Sequence, residues 1–377
     1  MVPRALEEVR ALWDRRRAIL PRLASEDPDA EARGWPTTLA AAVAVLAACG
    51  GFALCYQSLA ARGELAADFT WALRGVQRLL AGENPYDDPA LAPYLPYPFD
   101  APLFYPLPAL LAALPFVGLP WELAGALFFA VGSGLLAFGV ARRAPYLLPL
   151  FISAPYYVAA TVAQWSPLVM AAAFLPLLSP LALCKPNVGV VALLRRRTPL
   201  GLALLAGTAL LSLAVMPSWP IEWMANLRLA GPQYRMPLAV LPGPLLLLAF
   251  WLWRERDGRL FLVLCLLPQR LWFYDQLPVW LVVRGWGESL SLVASSWVGY
   301  TLWRLLPDGD TRAGTSPETA GPWVVLGIYL PALALLLLRE LRRRAQPLGD
   351  EGARTVIQHQ VARAVPHDRL ERSGAVD

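Results

Sequence analysis

Residues 68–106 read DFTWALRGVQRLLAGENPYDDPALAPYLPYPFDAPLFYP, a polar, proline-rich island in a chain that is otherwise apolar. Its first part predicts a short helix. Asp68 is a good N-cap, Phe69, Ala72, Val76 and Leu79 recur at helical spacing, and Gly82 and Pro85 end the pattern. Arg74 and Arg78 lie one turn apart on the other face. Such a helix suits the plane of a membrane interface, with its apolar stripe in lipid and its arginines towards headgroups or a lipid phosphate. Prolines at 85, 89, 93, 96, 98, 102, 106 and 108 then fix an extended, stiff path, unlike a flexible linker.

The course of the chain after this island decides the topology. If residues 102–119 cross the membrane, Arg142–Arg143 and several later basic clusters fall outside. If they lie along the outer surface, the next span is 121–140 and those arginines fall inside, together with Arg195–Arg197, Arg254–Arg259, Arg284 and Arg339–Arg344. One choice satisfies five clusters, and Pro102, Pro106, Pro108 and Pro115 suit a broken interfacial segment better than a spanning helix.

Working outward, residues 1–35 are expected to form an amphipathic cytoplasmic segment, too long and polar for a cleaved signal peptide, and 36–59 the first span. The first outer loop covers 60–120. Further spans are expected at 121–140, 146–163, a proline-broken region 167–194, 200–215, 237–253, two short ones flanking Leu271, 289–306 and 323–338. That makes about ten to twelve spans in a membrane domain over 36–340. Both termini are cytoplasmic in this scheme, and residues 341–377 form a polar, disordered tail.

Composition sets the class. With 57% hydrophobic and 16% charged residues, the chain is an all-α polytopic membrane protein in expectation, not a soluble domain. The net charge of +5 does not point to nucleic acid, because the arginines sit at the ends of apolar spans. Cys49, Cys55, Cys184 and Cys265 all lie in apolar runs, which favours neither a disulfide framework nor a zinc site. His359 and His367 both fall in the tail, so acid–base chemistry in the membrane domain must come from a carboxylate, the lysine, a tyrosine or an arginine. The excess of arginine over lysine, with abundant Ala, Leu and Pro, points to a GC-rich bacterial genome and an inner-membrane location.

Three places can carry chemistry. Asp68 stands just past the outer end of the first span, where a carboxylate near a membrane cavity can serve as a general base, as a helix cap, or as both. Lys185 is the only lysine in a chain with 33 basic residues and lies in the apolar stretch LALCKPNVG. A buried ammonium needs an anionic partner, such as a lipid phosphate, unless it snorkels from a helix end, and Pro186 frees backbone groups beside it. Arg270, Tyr274 and Asp275 in LPQRLWFYDQLP suit sugar or phosphate binding at the outer rim, or a plain interfacial Arg–Asp pair. Asn84, Tyr86, Tyr105 and Gln164 are plausible hydrogen-bonders to a sugar or simple turn residues. Asp87 and Asp88 are adjacent and do not have the spacing of a metal-binding pair.

Taken in order, Asp68 with its helix, GENPY at 82–86, FYPLPALLAALPF at 104–116, Gln164 at the end of a span, KP at 185–186 and WFYDQLP at 272–278 resemble glycosyltransferase family 87. The family comprises polyprenyl-phosphate-mannose-dependent mannosyltransferases of the GT-C fold. The resemblance covers about residues 36–340. It implies a multispanning helical enzyme with its active site at the outer face, beneath interfacial helices of the first loop. The reaction it implies moves a sugar, by default mannose, from a polyprenyl phosphate to a lipid or glycan acceptor, with inversion and without a metal or other cofactor. Asp68 matches the family's catalytic aspartate and Lys185 a basic residue near the donor phosphate; Arg270, Arg74 and Arg78, from their own positions, are candidate donor-phosphate contacts beside them. The chain departs from the family pattern at Ala163, where glycine is usual, and in a short stretch between Gln164 and Lys185. Outside the resemblance, a transporter or flippase would call for inverted repeats and midplane charges. An inactive scaffold that binds a lipid-linked sugar would tolerate loss of the Asp68 carboxylate.

Overall fold

The computed structural model describes residues 34–63, 67–87, 97, 101–229, 234–305 and 317–345. The expected N-terminal amphipathic segment, the tail after Ala345, Asp88 and most of the loop after Leu305 lie outside the described residues.

Helical segments make up most of the described chain. In order they are α1 (Thr37–Ala60), α2 (Asp68–Leu80), α3 (Leu107–Ala113), α4 (Trp121–Arg143), α5 (Ala154–Thr161), α6 (Ser166–Ala171), α7 (Pro186–Arg195), α8 (Pro199–Val215), α9 (Trp219–Leu229), α10 (Arg256–Leu266), α11 (Trp286–Leu305), α12 (Pro317–Val324) and α13 (Leu330–Ala345). A π-helical turn, Val325–Tyr329, joins the last two. Two short strands, β1 (Tyr234–Arg235) and β2 (Gln269–Arg270), pair antiparallel, with Tyr234 opposite Arg270.

Three helices among the described residues are long and apolar enough to cross a membrane: α1, α4, and the continuous helix ending at Ala345. A fourth is reached if α8 and α9, bent by 92°, count as one broken span. Only 17% of the most apolar window of α1 is buried, so its remaining face requires hydrocarbon around it. Elsewhere the chain runs in short pieces, as expected for the proline-broken region 167–194 but not for the single span expected at 146–163. Residues 145–161 form a 3-10 segment and then α5, while 166–195 form α6, a 3-10 segment at Pro176–Leu183 and α7. Prolines cause the breaks, because Pro155, Pro167, Pro176 and Pro186 each occupy the first or second position of a helical piece.

α1 and α4 pack along their lengths as an antiparallel pair. At one end, Trp35 N–H donates to the Ala141 carbonyl at 2.9 Å and Arg142 Nη1 donates to the Trp35 carbonyl at 2.7 Å. The chain between α1 and α4 therefore emerges at the opposite end from Arg142. Within it, Leu107–Phe116 is a ten-residue helical piece packed on α2, and about 15 Å is half the thickness of a hydrocarbon core. It does not cross.

The basic clusters that the positive-inside rule groups together do meet. Asp257, 3% exposed, lies 2.7 Å from Arg284, 2.8 Å from Arg339 and 3.8 Å from Arg195. Arg339 also pairs with Glu288. Pro145–Ile152, which follows Arg143, packs on Leu277–Val282, which precedes Arg284. These clusters thus share one end of the molecule, and Lys185 and Arg270, at the other ends of α7 and α10, lie away from it.

Candidate active site

The start of α2 is organised by Thr70, not by Asp68 as the sequence suggests. Thr70 Oγ1 accepts from the Ala67 N–H at 3.0 Å and donates to the Ala67 carbonyl at 2.6 Å, and Asp68 is the first residue inside the helix. Its carboxylate is thereby released from capping. The Asp68 N–H donates to the Val162 carbonyl at 3.0 Å, which ties the helix start to the chain leading into Gln164. Beneath it, Phe69 stacks on Phe128 at 3.9 Å and Trp165 lies 4.7 Å from Phe128, a rigid apolar bed.

The far end of α2 also follows local rules. Gly82, at φ +76°, donates to the Leu79 carbonyl and Glu83 N–H donates to that of Arg78, the paired bonds of a left-handed helix stop. Asn84 Oδ1 then accepts from Tyr86 N–H at 3.0 Å, closing a turn.

Both faces of α2 are buried, which corrects its expected lipid-facing posture. Arg74 and Arg78 are each 4% exposed. The folded-back first loop covers them. Arg74 Nη1 donates to the Tyr97 carbonyl at 3.3 Å, and Arg78 Nη1 to the Asp87 carbonyl at 2.8 Å with Glu83 at 3.4 Å from Nε. Two guanidinium groups sealed inside protein need acceptors, and the loop carbonyls and carboxylates provide them.

A cavity of about 480 Å³ opens beside α2 and brings together Asp68, Tyr105, Lys185, Arg270, Tyr274 and Asp275 in its lining. Apolar side chains complete that lining, among them Val190, Leu227, Leu267 and Pro268, with Trp71 and Trp223. Lys185 reaches this place from the corner between the Pro176–Leu183 segment and α7. A side chain at Gly189 would collide with the Ala182 carbonyl, so the tight corner needs glycine there.

Gln164 is the hinge of the polar part of the lining. Its Nε2 donates to Asp68 Oδ2, and its Oε1 accepts from Lys185 Nζ at 2.7 Å and from the Trp165 N–H at 2.8 Å. Lys185 Nζ also donates to Asp275 Oδ1 at 2.6 Å, and Ser166 Oγ donates to the same oxygen at 3.0 Å. A carboxylate, a carboxamide, an ammonium and a second carboxylate therefore form one chain of bonds. The residue before Gln164, Ala163, adopts φ +51°, a conformation that favours glycine.

Behind the wall, Gln269 Nε2 donates to the Tyr329 hydroxyl at 2.7 Å, and that hydroxyl donates to Gln276 Oε1 at 2.9 Å. The π-helical turn that ends at Tyr329 thus braces both the β2 strand carrying Arg270 and the turn carrying Asp275.

Burial pushes the Asp68 carboxyl above its ordinary value, with Lys185 and Arg270 pulling it partly back. Burial also holds the Tyr105 and Tyr274 phenols well above the usual range, and raises Tyr234 to about 12, so all three remain neutral donors at physiological pH.

The sequence-derived site residues divide. Asp68, Lys185, Arg270, Tyr105, Tyr274 and Asp275 line one cavity, and Gln164 joins two of them from behind. Arg74 and Arg78 line a separate, narrow recess against the loop. Asn84 Nδ2 donates to Glu222 Oε2 at 2.5 Å and the Tyr86 hydroxyl donates to the Tyr105 carbonyl at 3.2 Å, so these two hold the loop rather than reach the cavity. Tyr234, Asn187 and Ser166 belong to the site although sequence reasoning does not single them out. Ser166, two residues after Gln164 in an apolar run, carries a local signal; Tyr234 does not, since only its pairing with Arg270 brings it in. No group of three or more His, Cys, Asp or Glu side chains converges among the described residues.

Fold and cavity together define a mostly helical membrane protein with a recess lined by both charged and apolar residues. Comparison with protein-family models, with curated proteins and with solved structures finds no match for this chain.

Proposed function

We propose that the protein is a membrane glycosyltransferase that moves a sugar from a polyprenyl phosphate to a hydroxyl of a lipid or glycan acceptor. The observation that carries this reading is the shared cavity, whose lining joins Asp68, Lys185 and Arg270 with apolar side chains. Asp68 acts as general base, taking the acceptor hydroxyl's proton as that oxygen attacks the anomeric carbon. The C–O bond to phosphate breaks, and its electrons leave with the lipid phosphate. Negative charge grows on the departing oxygen, where Lys185 and Arg270 stabilise it. In-line attack from the opposite side inverts the anomeric centre.

Electrostatics fits this assignment. The site holds two cations and two carboxylates before the donor arrives, so an incoming phosphodiester adds negative charge near Asp68 and strengthens its hold on a proton. The apolar part of the lining suits an isoprenoid chain. The neutral phenols of Tyr105, Tyr234 and Tyr274 are placed to donate to sugar hydroxyls or phosphate oxygens.

The further expectations belong to the same proposal: a GT-C arrangement, mannose as the sugar, a bacterial inner-membrane location with the cavity on the outer face, and additional short or tilted crossings. The deciding experiment uses purified protein in nanodiscs with polyprenyl-phosphate mannose. Asp68→Asn should retain donor binding within about threefold while transfer drops by at least about 10²-fold. Unchanged lipid-dependent activity or transport in Asp68→Asn would assign the protein to a transporter or scaffold instead.

A further inference from the structure

A second recess lies at the opposite end of α10 from the candidate active site. Arg254 and Glu255 precede that helix and Leu267–Arg270 follow it, so its eleven residues, about 16 Å, separate the two. The recess measures about 360 Å³ and is lined by Trp251, Arg254, Glu255, Glu340, Arg343 and Arg344. We propose that it holds the headgroup of an anionic phospholipid.

Charge is the first ground. Arg343 lies 2.8 Å from both Glu255 and Glu340, and Arg344 is 2.6 Å from Glu340. Arg254 is exposed and its side chain has no partner among the described residues. Three guanidinium groups against two carboxylates leave a positive surplus, and exposed Arg342 adds to it. A phosphodiester can take two parallel bonds from a guanidinium, and Arg254 is available to give them.

The surroundings supply the second ground and distinguish a lipid from a dissolved anion. The 3-10 segment Gly243–Leu252 leads to the recess with Leu245, Leu247, Leu248 and Phe250 each about half exposed. Leu338 at 50% and Leu341 at 53% exposure extend the apolar surface on α13. A free anion gains nothing from such a ramp, whereas acyl chains need one. Trp251 and Trp253, at 63% and 59% exposure, mark the level where hydrocarbon gives way to headgroups. The Arg344 guanidinium lies 5.5 Å from the Trp251 ring, which holds the cation at that level. Basic pockets at the ends of membrane helices draw anionic lipid for these combined reasons.

The test titrates full-length protein in neutral detergent with phosphatidylglycerol, phosphatidylcholine or inorganic phosphate, reading bound lipid by native mass spectrometry and thermal unfolding in parallel. Phosphatidylglycerol should bind at least tenfold more tightly than phosphatidylcholine. Arg254→Gln with Arg343→Gln should erase that preference. Should that double variant fail to fold, Glu340→Gln decides, because removing the competing carboxylate should raise the preference for phosphatidylglycerol. Equal binding of the two lipids, protection by inorganic phosphate alone, or an unaltered preference in the variants would overturn the proposal. So would a tenfold gain in phosphatidylglycerol affinity on ending the chain at Ala345, which would make residues 346–377 the occupant.

Discussion

Lys185 and Asp275, ninety residues apart in the chain, form an ion pair 2.6 Å long in the wall of the cavity that Asp68 also lines. The Asp275 side chain is 2% exposed and that of Lys185 11%. Removing one member of such a pair strands the other without solvent. Lys185→Met should therefore destabilise the protein by about 3–5 kcal/mol, and Lys185→Met with Asp275→Asn by clearly less than the sum of the two single changes. Denaturant unfolding in detergent measures both. A strictly additive pair would mean that the two groups do not interact.

Gln164 should act as a positioning residue. Its amide donates to the proposed base and accepts from the proposed phosphate-binding cation, so Gln164→Ala should lower kcat by about tenfold or more while changing KM little. Loss of the donor also removes support for the Asp68 carboxylate, so the acid limb of the pH–rate profile should move to higher pH. Gln164→Glu places a negative charge beside Asp68 and should move it further. An unshifted profile would leave Gln164 a packing residue only.

The pH dependence of Asp68 has two opposite signs. Burial holds its carboxyl above the ordinary value of 3.8, and transfer needs the ionised form, so activity should fall as pH drops through the raised value. Stability behaves inversely. The folded state binds the Asp68 proton more tightly than the unfolded chain, so this group's contribution declines as pH rises from 3.8 through the folded value. Asp68→Asn, which carries no charge to bury, should then have a higher Tm than the parent at neutral pH, with the gain vanishing in acid. Scanning calorimetry across that range tests the sign.

Ala163→Gly should be close to neutral for stability. Relief of the left-handed backbone at φ +51° gains about 1–2 kcal/mol, against roughly 0.4–1 kcal/mol for added unfolded-chain freedom and a lost buried methyl. Ala137→Gly, inside α4 and fully buried, has no such relief and should cost about 1 kcal/mol or more. Equal losses at the two positions would remove the case for strain at Ala163.

The latch between α9 and the first loop offers a separate check. Asn226 Nδ2 donates to the Tyr86 carbonyl at 3.1 Å and the Leu103 carbonyl at 3.3 Å, and Trp223 Nε1 donates to the Phe104 carbonyl at 2.8 Å. Asn226→Ala should destabilise by about 1–3 kcal/mol, because two loop carbonyls lose their donor. It should raise KM for the lipid donor more than it lowers kcat, since α9 contributes Trp223 and Leu227 to the cavity's apolar lining.

Asp68, Lys185, Arg270 and Asp275 could be singled out from sequence because ionisable groups in apolar surroundings are expensive and therefore conspicuous. The stop of α2 at Gly82 and the interruption at Pro186 were legible for a similar reason: glycine's freedom and proline's constraint act on the backbone whatever lies nearby. Arg74, Arg78, Asn84 and Tyr86 misled in the same segment. Their composition suited lipid or sugar, but the acceptors and donors that claim them come from a loop folded back on α2 and from α9.

The amino-acid sequence alone determined that this chain carries helices apolar enough to span a membrane, that prolines interrupt the region 167–194, and that the basic clusters share an end. Those properties depend on hydrophobic length, proline positions and charge sign, all of which add up along the chain. Tertiary structure alone decided that Thr70 relieves Asp68 of capping, that Gln164 links Asp68 to Lys185, and that expected continuous spans are broken into short pieces. A hydrogen bond depends on direction and on a partner many residues away, and neither is written in local composition.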